Sequence, residues 1–273
     1  MNKKYIFIGL GLVILIASLV IWVIKPFSKK PTTSTDIPSS QKTLSANTLP
    51  IEKRPYIKLE PKSSVEPKSL GHWITMTIQN VNNFDRLEYE FEYTTGSMIQ
   101  GGMGRIDFSV ETPPVSKEVA FGSASKGKYK YDEGVYKGSF TFHFFQGETE
   151  EVLKTDFALQ KMEGTQTIFK SPDEIVKLTV EKPDLSAGDY VLISSSLGLP
   201  APVTGKILAG PYSFFSDRPR SLTKAQLLFD NVASSAVIFA WDNNRWSQLE
   251  TKITDKKASA NIDFLGTYIL VQK

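Results

Sequence analysis

Glu88, Glu90 and Glu92 stand at every second position of a run whose other members are Leu87, Tyr89, Phe91 and Tyr93. Such alternation sets the three carboxylates on one face of a strand, neighbours about 6.5–7 Å apart at Cα. That spacing falls near the range in which an inverting glycosidase holds its acid and base. An acid–base pair needs two environments that split its pKa values, and these positions repeat a single environment. A solvated sheet face is therefore expected. The spacing S-x-x-K occurs at Ser123 with Lys126, Ser125 with Lys128, and Ser221 with Lys224. In penicillin-binding enzymes it holds an amine one helical turn from a serine nucleophile, with S-D-N and K-T-G companions. Neither companion occurs here, and the first two matches lie in a Gly/Ser/Lys turn.

The two histidines, His72 and His143, form no H-x-H or H-x-x-x-H pattern, and the Asp-x-Asp-x-Asp-Gly calcium loop is missing. Neither a metal nor a cofactor is expected. Gly96, Gly101, Gly102 and Gly104 lack the G-x-G-x-x-G spacing and lead into the strand-like Arg105–Phe108. A phosphate cradle needs a helix N-terminus at that point, so a flexible loop or bulge is predicted. The aromatics are the remaining ligand-contact candidates. Tyr129, Tyr131 and Tyr136 are interleaved with lysines across 128–137, and Trp241 and Trp246 flank a short turn. Facing outward, such rings stack on sugars or seat a protein; facing inward, they form a core stripe.

The elements that must position these residues read as strands. Ser139–Phe144 alternates as Leu87–Tyr93 does, while Trp73–Ile78 and Ile175–Val180 are short runs rich in β-branched residues. Ala236–Trp241, the turn residues Asp242-Asn243-Asn244, and Arg245–Leu249 spell a hairpin. Ala258–Ile262 and Thr267–Val271 are further strands, and Pro55–Leu59 an edge strand. Ser221–Phe229 reads as a strand, with a helix capped by Ser221 as the competitor. The predicted class is all-β: two immunoglobulin-like antiparallel β-sandwich modules, 55–163 and 164–273, divided near Gly164. A single larger sandwich is the alternative.

Ahead of these modules, Tyr5–Ile24 is twenty residues long and carries no charged side chain. As a helix it would span roughly 30 Å, the thickness of a bilayer core. Its length, its Lys3/Lys4 and Lys25/Lys29/Lys30 flanks, and the lack of a small-x-small cleavage pattern favour an uncleaved anchor over a removed signal. Residues 1–4 are then a cytoplasmic tail, with the β region outside. Residues 25–54 read as a disordered Pro/Ser/Thr/Lys linker, since they cannot bury enough apolar surface to offset ordering entropy.

Charge sharpens that picture. Residues 1–71 carry eleven Lys/Arg against four Asp/Glu, whereas the remainder carries twenty-one against twenty-five. The basic excess lies beside the predicted membrane, where anionic headgroups are the natural partner. The slightly acidic folded part argues against nucleic acid. With no cysteine in the chain, disulfides and thiolate chemistry are ruled out.

Val203–Ile207, Gly210-Pro211-Tyr212-Ser213-Phe214-Phe215, Trp246 and Gly266-Thr267-Tyr268-Ile269-Leu270 together resemble the ZU5-type β-sandwich. In that family a glycine-led strand precedes an aromatic segment, and a G-x-Y-x-L strand closes the domain. Some of its members cleave themselves at His-Phe-Ser. Here His143-Phe144-Phe145 lacks the hydroxyl, so self-cleavage is not implied. The whole layout also resembles single-pass envelope proteins of bacteria. The expected function is non-enzymatic: a membrane-anchored extracytoplasmic protein presenting structural or binding modules to a protein or glycan partner. A carbohydrate-binding surface module and an envelope hydrolase are the alternatives.

Overall fold

The computed structural model of the chain describes residues 46–63, 69–81, 83–126, 128–163, 168–181, 184–218, 221–232 and 235–273. The tail, the helix expected at 5–24 and linker residues 25–45 lie outside the described residues. Among the described residues, no helix is long and apolar enough to cross a membrane.

The described chain is all-β and its strand pairings are antiparallel. One small sheet joins β1 (Tyr56–Pro61), β2 (Trp73–Gln79) and β5 (Val115–Ala120), with β2 in the middle. A second joins β10 (Ile168–Lys170), β11 (Val176–Val180), β14 (Ala225–Phe229), β18 (Lys257–Ile262) and β17 (Lys252–Thr254), in that order. Within Ser221–Phe229, read as a strand with a helix as competitor, residues 225–229 are thus a strand.

The largest sheet has nine strands. From one edge to the other they are β16 (Trp246–Gln248), β15 (Ala236–Trp241), β19 (Thr267–Gln272), β13 (Ile207–Ser216), β12 (Tyr190–Ser195), β9 (Thr149–Lys161), β8 (Val135–Gln146), β3 (Arg86–Thr95) and β4 (Met98–Asp107). A separate hairpin pairs β6 (Gly122–Ser125) with β7 (Lys128–Tyr131).

Alternation decides what each strand buries. On β8, Phe140, Phe142 and Phe144 are fully buried, together with Leu87 of β3 and Ile74, Met76 and Ile78 of β2. They form a core between the small sheet and one face of the nine-stranded sheet, each large side chain contributing about 1.5–3 kcal/mol of burial. A second core lies on the opposite face, where Phe214 and Tyr268 pack with Leu178, Leu227 and Phe229 of the five-stranded sheet. β12 belongs to both cores, because successive side chains point to opposite faces: Leu192 enters the first, Val191 and Ile193 the second. Residues 44–273 form one compact unit, and the β9–β12 ladder carries one sheet past position 164.

Residues 46–54, expected as the end of the disordered linker, are held in place. β12 pairs with β9 only over Phe157–Lys161, which leaves backbone groups of β9 open around Val152. Asn47 fills that gap: its N–H donates to the Val152 carbonyl at 2.8 Å, and its side-chain amide exchanges two hydrogen bonds with the Lys154 backbone. Arg54 then donates to the carbonyls of Asn47 and Leu49 at 2.8 and 2.7 Å. Hydrogen bonding orders this segment, together with the packing of Ile51 against the Leu199, Ile269 and Val271 cluster.

Candidate functional site

Trp73 opens β2 on the side opposite Ile74, so alternation turns its indole away from the core. The β6–β7 hairpin packs beside it. Gly122 makes that approach possible, since it adopts φ +138° and a Cβ there would strike the Lys130 carbonyl oxygen. The hairpin is tied to the main sheet through Tyr93 of β3. Its hydroxyl accepts the Gly122 N–H at 2.9 Å and donates to Asp132 at 2.7 Å. Burial, reinforced by the Asp132 carboxylate, pushes the Tyr93 phenol up to about 12.

Tyr129 and Tyr131, two residues apart on β7, share one face and stand parallel at 6.0 Å. Trp73 meets Tyr129 edge-on at 4.9 Å, and its indole N–H donates to the Tyr131 hydroxyl at 3.2 Å. His72 stacks on Tyr131 at 4.8 Å with an interplanar angle of 13°. Four aromatic rings from two segments therefore make one cluster, and Tyr129 at its outer end is half exposed.

The cluster borders a cleft of about 580 Å³ whose walls include His72, Tyr131, Glu133, Lys161, Tyr190 and Arg218. Lys161 Nζ lies 6.0 Å from the Tyr190 ring centroid, within cation–π range. Arg218 Nη1 is 3.2 Å from the buried Asp189 carboxylate. Beside it, Asp217 is buried, and its Oδ1 accepts the Tyr190 N–H at 3.0 Å. Burial, with Asp189 adding to it, raises the Asp217 carboxyl above the ordinary carboxylate range. His72 is also buried, and among the described residues its Nδ1 has no hydrogen-bond partner. The cleft thus combines flat rings, hydroxyl and imidazole hydrogen-bonding groups, two cations and the Glu133 carboxylate. Such a set suits a hydroxylated ring with an apolar face.

The other predicted contact residues go elsewhere. Tyr136, on β8, is half exposed, with Lys137 Nζ 5.4 Å from its ring. Trp241 and Trp246 face each other across the β15–β16 ladder at 5.4 Å. The Trp246 N–H donates to the Ala201 carbonyl at 2.9 Å, and its ring packs against Leu199, Ile269 and Val271. Of the five candidates, Tyr129 and Tyr131 belong to the cluster beside this cleft, and Trp241 and Trp246 form a separate pair.

Glu88, Glu90 and Glu92 do line one face of β3, beside Arg105, Met103 and Gly101 of β4. Glu88 lies 3.1 Å from Arg86 Nε, and His143, opposite Glu88 on β8, meets Glu150 at 2.6 Å. His72 and His143 thus belong to different clefts. Ser125 and Lys128 face each other across a hairpin turn, so their S-x-x-K spacing has no helical geometry.

Sequence reasoning missed Trp73, Lys161, Tyr190 and Arg218 as partners of Tyr131. Trp73 alone carried a local signal, an aromatic residue on the outward phase of a strand. No family model matches the chain, and no curated protein matches it in sequence.

Proposed function

We propose that the chain is a non-catalytic, membrane-tethered protein that holds a β-sandwich body outside the cell and binds envelope carbohydrate in the His72–Tyr131–Tyr190 cleft. The observation that carries this reading is the ring cluster of Trp73, Tyr129, Tyr131 and His72 at the rim of a cleft bearing Lys161 and Arg218. Aromatic faces pack against the C–H faces of sugar rings, and adjoining polar groups orient the hydroxyls. Both cations already face carboxylates, Arg218 at 3.2 Å from Asp189 and Lys161 at 3.8 Å from Glu163, and Glu133 also lines the wall, so charge alone gives acidic glycans no advantage over neutral ones. Residues 5–24 supply the tether, with the bilayer as their partner. On this reading the body is built of two immunoglobulin-like halves, 55–163 and 164–273, that share the nine-stranded sheet, the second half related to the ZU5 type.

The test is retention of the full-length chain, in detergent, on isolated cell-wall glycan and on acidic and neutral polysaccharides. Binding is expected, with Tyr131→Ala and Trp73→Ala each weakening it at least tenfold and Trp241→Ala leaving it unchanged. Equal retention of all four proteins would reject the cleft as the binding site. The tether has its own check: carbonate washing should leave the chain in the membrane, and a C-terminal alkaline-phosphatase fusion should be active.

A further inference from the structure

β4 ends the nine-stranded sheet, so among the described residues one of its two edges carries no ladder. It is ten residues long and uncharged from Met98 to Gly104. The fold treats its other edges differently. β16, β10 and β17 are three residues each, β1 carries Lys58 and Glu60, and β5 carries Lys117 and Glu118. Short or charged edges resist pairing with another chain, whereas a long uncharged one invites it. The side chains along β4 reinforce the contrast: Met98, Ile99 and Met103 are 59%, 72% and 81% exposed.

The pattern of β4 is complementary to itself. Two copies paired antiparallel about a two-fold axis perpendicular to the sheet keep their faces aligned, so odd positions must meet odd positions. With the axis at Gly101, Ile99 of one copy lies directly opposite Met103 of the other, and the same contact recurs on the far side of the axis. Gln100 then faces Gly102, Met98 faces Gly104 and Arg105 faces Ser97, so no charged residue meets another charge. Shifting the axis to Gly102 instead sets Ile99 against Arg105 and breaks the apolar match. Electrostatics permits the first register as well. The Glu88–Glu90–Glu92 rows of the two copies would stand three strand spacings apart, about 14 Å, beyond the roughly 8 Å screening length at physiological salt.

We propose that β4 is a self-association edge, through which two copies of this chain join their nine-stranded sheets about a two-fold axis at Gly101. Four large apolar side chains, Ile99 and Met103 from each copy, would then pack in two cross-strand pairs, and methionine adapts readily to such a contact. This proposal is independent of the carbohydrate reading, since β4 contributes nothing to the Tyr131 cleft.

The chain contains no cysteine, which gives a clean background for the test. The double variant Ile99→Cys/Met103→Cys should form a disulfide-linked dimer on oxidation in the full-length chain. The single variants should not, because the two-fold separates residue 99 from its symmetry mate by four positions, about 13 Å. Sedimentation of the unmodified chain in detergent should show a dimer, and Met103→Lys should abolish it while leaving the far-UV circular dichroism spectrum unchanged. A monomeric unmodified chain, a double variant that fails to cross-link, or a dimer insensitive to Met103→Lys would each overturn the proposal.

Discussion

At the scale of single residues, the most telling group is the buried Asp217 carboxyl. Its raised pKa means that the folded chain holds this proton more tightly than the unfolded chain does. The sign follows by linkage: its contribution to stability is full below the unfolded value of about 4 and is lost as pH rises through the higher folded value. Asp217→Asn removes the ionisation while keeping the shape. It is expected to raise the thermal midpoint at pH 7, with the gain shrinking to nothing near pH 3. A pH series of thermal melts for both proteins checks this, and an equal difference at every pH would contradict it. Nothing local in Ser216-Asp217-Arg218 predicted the effect, which arises from the packing of residues 189–190 against 216–218.

At the scale of the element, β4 shows how far composition can mislead. Gly101, Gly102 and Gly104 read as a loop or bulge, yet they lie in a regular ten-residue ladder with β3. The reason is the neighbouring strand. The Phe91 ring occupies the space over Gly102, where a Cβ would approach within 2.8 Å, and the Tyr89 ring fills the place of a side chain at Gly104. Ring cover of this kind compensates for the weak strand preference of glycine. At Gly101 a Cβ would strike the Phe91 carbonyl oxygen, a backbone atom that cannot swing aside. Gly101→Ala is therefore expected to cost about 1–3 kcal/mol of stability, as overpacking does. Met103→Ala, at a side chain exposed in the single chain, should cost less than about 0.5 kcal/mol at protein concentrations too dilute for association. Urea denaturation of the two variants separates these outcomes. The alternating runs Leu87–Tyr93 and Ser139–Phe144, by contrast, were legible at once, because period-two burial is a local property of the chain.

At the scale of the whole molecule, two cores hang on one strand. β12 sends Leu192 into one core and Val191 and Ile193 into the other, so loss of either core strips a face from the same backbone. Trp73 reports on the first half, and the Trp241–Trp246 pair on the second. In single-reporter variants their urea midpoints are expected to coincide. Leu192→Ala, costing about 2–5 kcal/mol, should lower both midpoints together. A shift confined to Trp73 would mean that the halves unfold independently. By itself the sequence determined the β class, the inward and outward phases of the main strands, the absence of thiol chemistry and the segregation of positive charge toward residues 1–71. Each is a local or additive property, readable from period, composition or a count. Only the tertiary structure decided that His72, Tyr131, Lys161, Tyr190 and Arg218 line one cleft with Trp73 packed beside it, and that β4 is left at an edge. Both depend on strand order, which is set by pairings between residues far apart in the chain and leaves no trace in any short window of sequence.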